Sequence, residues 1–417
     1  MKKKTFSILI LCLLLTLVIP GLAFGQTSMV VGDIDYFEGR VNIHRNGQLL
    51  DWRTIDFGFP IEQFDLIETG PDSMVELSLR GPVSGSSRVI IRPNTAFSLE
   101  HVETTTEQQS VYQVMRGSIG VQSSQRAPNE GLRVRSATTA MGVRGTTFDV
   151  TVAVEGSILI SVSSGLVEVE DDRGRKANAQ PGTVVQRISD QPPQRTAVSV
   201  EDLGLYQDFW VTGRIEAFRA GAPTFIQAFA RQHREYYPRF QNAYNQLLAQ
   251  RNTLERFGQA NSTASMGSLI QAKTQVTPAI VAMRSILPLF EMTFFRLVDL
   301  EEYHAEGFGR TTIEPGLSSD AFFRTFAQDA RQVNTMLAVT RYLFKLYAQL
   351  HEATGGGPSL LDSPFGTSPL APPNLPGSPG SSPAPTTPGS GLPGSNLPGS
   401  TQPGSSLPGG TFRPPGN

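Results

Sequence analysis

Glu301 and His304 stand three residues apart, the spacing in this 417-residue sequence that reads most directly as chemistry. On a helix, positions i and i+3 share a face, and Glu-x-x-His is the half-site of di-iron carboxylate bundles. Such a site needs a second Glu-x-x-His and two further inward glutamates. No second copy occurs, and a solvated helix end, Glu301-Glu302-Tyr303-His304, accounts for the same residues. His44 and His101 belong to a strand-rich segment, where a metal-binding barrel would need several histidines on neighbouring strands; two isolated ones do not make that set. Cys12, the single cysteine, excludes a disulfide framework and a multi-Cys zinc site. Gly-x-Ser-x-Gly is absent, and no Ser-His-Asp set can be assembled from spacing. The glycines of Gly142-Val143-Arg144-Gly145 do not form a dinucleotide loop, because a strand pattern follows where a helix N-terminus would have to hold phosphate. Arg144 could serve as a ligand-binding cation there. The alternative is a tight turn of the glycines, with Phe148 and Val150 filling the core. Phe209, Trp210, Tyr236, Tyr237, Phe294 and Phe295 could line a groove, but at helical spacing among Leu and Ile they fit a core. The expectation is a non-enzymatic chain with no catalytic, cofactor-binding or metal-ligating residue.

The elements around these residues follow from composition and period. Net charge is −2, from 35 Lys+Arg and 37 Asp+Glu, which gives no drive toward nucleic acid or an anionic membrane. Residues 1–25 combine Lys2-Lys3-Lys4, an apolar run from Phe6 to Ile19, and Ala23-Phe24-Gly25 before Gln26, the layout of a cleaved signal peptide. An uncleaved anchor is the alternative, although the run is shorter than the ~20 residues of a span. Cleavage would remove Cys12, leave a thiol-free chain and leave no membrane span. From residues 29 to 190, short runs with period-two alternation alternate with Gly and Asp/Asn turns and predict an all-β sandwich, roll or compact β-solenoid. Gly39-Arg-Val-Asn-Ile, Gly117-Ser-Ile-Gly-Val and Gly165-Leu-Val-Glu-Val repeat one element. Each puts a glycine where positive φ is tolerated and then sends alternate apolar side chains to one face.

Gly142-Val143-Arg144-Gly145-Thr146-Thr147-Phe148-Asp149-Val150 resembles the Gly-Thr-x-Phe-x-Val signature of FecR domains. Phe64 to Gly70, Val114 to Ile119, Gly165 to Val169 and Pro181 to Val185 fit the flanking pieces in order. The resemblance covers residues 35–187 only. It implies an extracytoplasmic FecR-like β-domain. Family members include regulators that relay an outer-membrane signal to a sigma factor through a cytoplasmic segment ahead of a membrane span. Here only the signal sequence precedes the β-domain, so the resemblance implies the domain and its compartment rather than anti-sigma activity.

Residues 191–202, with Gln191-Pro192-Pro193-Gln194, read as a linker. Residues 203–352 carry helical period. An apolar stripe from Phe225 to Leu254 predicts a long helix opening at Pro223 and kinked at Pro238. From Thr277 to Tyr303 the pattern is apolar on more than one face, yet Arg284, Glu291 and Arg296 argue for a buried central helix over a membrane span. A last helix starts at Ser318-Ser319-Asp320 and ends at Gly355-Gly356-Gly357. About four long helices in an all-α bundle are expected. Residues 353–417, with 16 of the 30 prolines, read as a disordered Pro/Gly/Ser-rich tail. The whole reads as a bacterial cell-envelope protein, periplasmic or secreted. Its expected role is a binding, scaffold or signalling-adaptor module with an envelope protein or glycan as partner and no nucleic acid. A membrane-anchored signalling regulator is the alternative, and a metal-dependent enzyme using Glu301 and His304 the third reading.

Overall fold

The structure is a computed structural model that describes residues 30–83, 85–103, 108–125, 127–189, 191–258 and 264–356. The expected signal peptide (1–25) and nearly all of the expected tail lie outside the described residues. Seventeen strands are described: β1 (Val30–Glu38), β2 (Val41–Arg45), β3 (Gln48–Leu49), β4 (Pro60–Glu62), β5 (Leu66–Thr69), β6 (Met74–Arg80), β7 (Ser86–Ile91), β8 (Ala96–Glu103), β9 (Gln108–Ser123), β10 (Glu130–Arg135), β11 (Thr139–Val152), β12 (Ile158–Asp171), β13 (Lys176–Ala179), β14 (Thr183–Arg187), β15 (Gln194–Ala197), β16 (Thr312–Glu314) and β17 (Leu317–Ser318). The helices are α1 (Leu203–Leu248), α2 (Arg251–Phe257), α3 (Met266–Ala305) and α4 (Ser319–Ala353). The chain is thus an N-terminal β region followed by helices.

The first fifteen strands form one folded-over sheet whose main path runs β15-β14-β12-β11-β10-β9-β7-β6-β1-β4. Strand β9 is the hub. Its first half pairs with β8 and, in parallel, with β10; its second half pairs antiparallel with β7 and β11. A strand that changes partners halfway must bend, and glycine supplies the bend. Gly117 has φ +81° at the change-over of β9, and a Cβ there would lie 2.3 Å from the Thr95 hydroxyl. Gly165 repeats the device in β12 at φ +82°, where a Cβ would lie 2.7 Å from the Gly145 carbonyl across a break in the β11–β12 register. Two glycines of the repeated element, Gly117 and Gly165, therefore kink strands, a use that only a residue without Cβ permits, while Gly39 (φ +72°) lies between β1 and β2. Alternating Val, Ile and Leu from both halves of the bent strands close on one core that includes Ile34, Val75, Ile119, Phe148 and Val150.

Two boundaries differ from expectation. Residues 191–202, expected as a linker, contain β15, which pairs with β14, and a Ser199–Asp202 turn that leads straight into α1. Helix α1 opens at Leu203, twenty residues before Pro223, and carries both Pro223 and Pro238 in its interior. The early turns are held by tertiary burial, which outweighs local start signals. Tyr206 and Trp210 pack against Leu159, Val184 and Val198 of the β region, and the Trp210 indole N–H donates to Gln186 Oε1 at 2.8 Å. Among the described residues, the helical part has three long helices and the seven-residue α2, rather than four long ones. Between α3 and α4 lies a short hairpin, β16–β17. Helix α3 is long and apolar enough to cross a membrane, but most of its apolar stretch is buried by its neighbours. Of the six aromatic residues, Tyr236, Phe294 and Phe295 are core, as their spacing suggests, Trp210 is buried against the β region and Tyr237 is partly buried, whereas Phe209 is exposed.

Candidate interaction site between the sheet and the helices

The chemistry-bearing pairs of the sequence are not brought together. His304 is buried, not at a solvated helix end; its Nε2 meets Ser319 Oγ at 3.0 Å, and that hydroxyl also accepts the Thr311 N–H at 3.0 Å. Burial lowers the His304 pKa, with Asp320 opposing at 3.6 Å. Glu301 has its own pKa raised, by burial and then by Glu302. Among the described residues no group of three His, Cys, Asp or Glu could hold a metal ion. His44 bonds Glu68 at 3.1 Å, whereas the His101 backbone N–H donates to Gln63 Oε1. Arg144 is exposed, and Gly142 to Gly145 lie inside β11, so they form no turn. Gly145 takes φ +61° beside a register shift, and Phe148 and Val150 point into the core.

Polar chemistry concentrates instead where α3 and α4 cross the sheet. Arg296 of α3 is 2% exposed and reaches into the β region. Its Nη1 donates to the Ala153 carbonyl at 2.6 Å and its Nη2 to the Met115 carbonyl at 3.2 Å, so one guanidinium joins β9 to the turn after β11. A fork of rigid donors suits this task better than an ammonium would. Beside it, Arg116 of β9 pairs with Asp299 at 2.9 Å, and the Gln113 amide donates to Glu291 at 3.2 Å. Glu291 in turn pairs with Arg341 of α4 at 2.5 Å, with both side chains buried. Further along α4, Lys345 donates to Glu62 at 2.5 Å and to Asn46 at 3.0 Å. Burial pushes the Glu68 carboxyl up, but the His44 hydrogen bond and the charges of Arg116 and Arg341 hold it below its ordinary range. Glu155, in the turn after β11, is raised by burial, against the pull of Ser157 and of Arg214 of α1 at 3.8 Å.

The apolar part of this face is small and specific. Phe64, Leu66, Ala96 and Met115 leave the β region's own core and join the helical one. Phe64 does so from a left-handed backbone, φ +67°, with its N–H donated to the Leu99 carbonyl at 2.8 Å. Bulky residues rarely hold that conformation, and strain of this kind gathers at functional sites. A cavity of about 30 Å³ lies between Phe64, Gln113, Arg284, Arg341 and Phe344, and one of about 10 Å³ lies beside Arg296. Both are far below the ~300–1,000 Å³ of small-molecule pockets, so this face joins two protein surfaces. Sequence reasoning singled out Arg284, Glu291 and Arg296 only as obstacles to a membrane span. Three charges inside an apolar helix were the available signal that it docks on polar groups.

Comparison with the curated proteins returned no match. Among solved structures, two of a protein provisionally assigned as an anti-sigma factor from Parabacteroides distasonis are similar at 15% identity and TM-score 0.28. Each similarity covers 34% of this chain and 63% or 64% of the other, so the chain spans less than two thirds of those structures' length. Residues 65–168 match the family model described as FecR protein. That stretch runs from the strand after Phe64 through β9 and β11 to the bend of β12 and holds Leu66, Ala96, Gln113, Met115, Arg116 and Ala153 of the helical face, while Asn46, Glu62 and Phe64 lie ahead of it: over this segment, the chain carries a FecR domain.

Proposed function

We propose that this chain is an extracytoplasmic FecR-domain protein that binds an envelope protein or glycan, as a non-enzymatic scaffold or signalling adaptor. The observation that carries the reading is the coupling of the FecR segment to the helices. Met115, Arg116 and Gln113 of the matched segment all contact α3, so an event on one part has a direct mechanical route to the other. The basic, apolar and small-residue order of residues 1–25 supports the compartment. A pull-down with the purified chain as bait in envelope extracts is expected to recover a specific protein or glycan. Recovery at background in every fraction rejects the binding role.

A second reading is a membrane-anchored regulator whose N-terminal segment stays in place; the apolar run Phe6 to Ile19 favours it. Sequencing the native N-terminus separates the two. A start at Gln26 supports the released form, and a start at Met1 or Lys2 with detergent-dependent extraction supports the anchored one.

A further inference from the structure

The segment between β3 and β4 displays aromatic surface that the fold does not use. Trp52 is 53% exposed and Phe57 77%, with Leu49 beside them in sequence. Large apolar side chains gathered on one loop mark a contact surface. The loop is also built to hold its shape. Asp51 caps a single 3-10 turn, Trp52–Thr54, by accepting the Arg53 N–H at 3.1 Å, and Thr54 Oγ1 donates to the Asp51 carbonyl at 2.7 Å. Asp56 accepts the Phe57 N–H at 2.7 Å, Ile55 is buried as an anchor, and the Arg53 guanidinium sits over the Trp52 ring at 5.6 Å. Gly58 N–H donates to the Ile34 carbonyl, which places half-exposed Tyr36, two residues along β1, at the edge of the same loop.

The chain itself contains a segment with matching chemistry. Residues 357–417, outside the described structure, hold 16 prolines in 61 residues, four Leu-Pro-Gly steps (375–377, 392–394, 397–399 and 407–409), and only Asp362 and Arg413 as charges. Proline-rich segments dock on aromatic surfaces because their extended backbone loses little entropy on binding. Position favours the encounter. Lys345, less than three turns before the end of α4, bonds Asn46 and Glu62, the residues that bracket the aromatic loop on either side. On composition alone, a Gly/Ser-containing tether of about 30 residues has a root-mean-square span of about 30 Å, which brings the repeats within reach of the loop at an effective concentration on the order of millimolar.

We propose that the Leu-Pro-Gly region of the tail, residues 375–409, docks on the Trp52/Phe57 loop of the same chain and covers it. A partner that uses this loop must then displace the tail, which makes the tail a built-in competitor. The inference does not depend on the FecR reading.

The sequence holds two tryptophans, and Trp210 is buried, so iodide quenching reports mainly on Trp52 once the signal of a Trp52→Phe chain is subtracted. Stopping the chain after Gly356 is expected to raise the Trp52 quenching constant about twofold or more, as it should if the loop is covered most of the time at millimolar effective concentration. Replacing Pro393, Pro398, Pro403 and Pro408 by alanine in the full-length chain should give the same rise without touching any described element. A synthetic peptide of residues 388–409, added to the shortened chain, should reverse it. Equal quenching in all three chains overturns the proposal. Protection that depends on protein concentration also overturns it, because a second copy would then be the cover.

Discussion

Phe64 holds a backbone that costs a bulky residue about 1–2 kcal/mol, and it does so in order to place its ring between sheet and helices. Two truncations separate the cost from the gain. Phe64→Ala and Phe64→Gly both lose the ring, for about 3 kcal/mol or more. The glycine variant should nevertheless be the more stable of the two by about 1 kcal/mol, the reverse of the usual order, because only glycine is at ease at positive φ. Urea unfolding measures this, and an alanine variant at least as stable as the glycine one removes the claim of strain. His233 is a second residue with a readable consequence. It is packed among Tyr237, Phe290, Phe322 and Phe326, and burial pushes its pKa down to about 4. The unfolded chain protonates this ring below its ordinary value of about 6.5 while the folded one does not. Its stabilising effect is therefore complete above pH 6.5 and is lost as pH falls toward 4, by up to about 3 kcal/mol. A His233→Phe chain should lose stability less steeply across that window than the parent; parallel curves would show that the ring is not the cause. Neither effect was visible in the sequence. Phe64 reads as an ordinary aromatic before a strand, and His233 as one isolated histidine among five.

At the scale of elements, the strand pattern was legible because Val, Ile and Leu alternate, and the start of α4 because Ser318-Ser319-Asp320 is a recognisable cap. Its two serines turn out to differ. Ser318 Oγ accepts the Ala321 N–H at 3.2 Å as the cap, whereas buried Ser319 ties His304 to Thr311. Ser318→Ala should cost about 1 kcal/mol. Ser319→Ala should cost about 2 kcal/mol, since it leaves a buried imidazole and a backbone N–H without their partner. Thermal unfolding of both variants tests the ranking, and a cheaper Ser319→Ala contradicts it. The hairpin β16–β17 that brings these groups together was not legible, because strands of three and two residues show no period. The early turns of α1 were missed for a related reason: Tyr206 and Trp210 bury themselves against strands, so their spacing serves a sheet partner rather than a helical neighbour.

Over the whole molecule, the change from period two to helical period near residue 203 marked the division into sheet and helices, and the FecR signature marked the sheet. Their docking was hidden because it pairs residues distant in sequence. Arg296 lies 181 residues from Met115 and 143 from Ala153. Arg296→Met, which keeps much of the side-chain volume but orphans two carbonyls and leaves Asp299 with one partner fewer, should cost about 3 kcal/mol or more. Calorimetry should then resolve two transitions in place of one coupled unfolding; a single, merely shifted transition would mean that the apolar contacts of Phe64 and Met115 suffice. The same guanidinium imposes an order of assembly on a chain made from its N-terminus. When α3 emerges, both carbonyls that receive it belong to segments already synthesised, and because Val152 pairs with Gly117, the bend at Gly117 must be in place before those carbonyls lie at the right spacing. The sheet is therefore the template and the helices are the late arrivals, so a defect in the Gly117 bend should surface first as helices that form but find no seat.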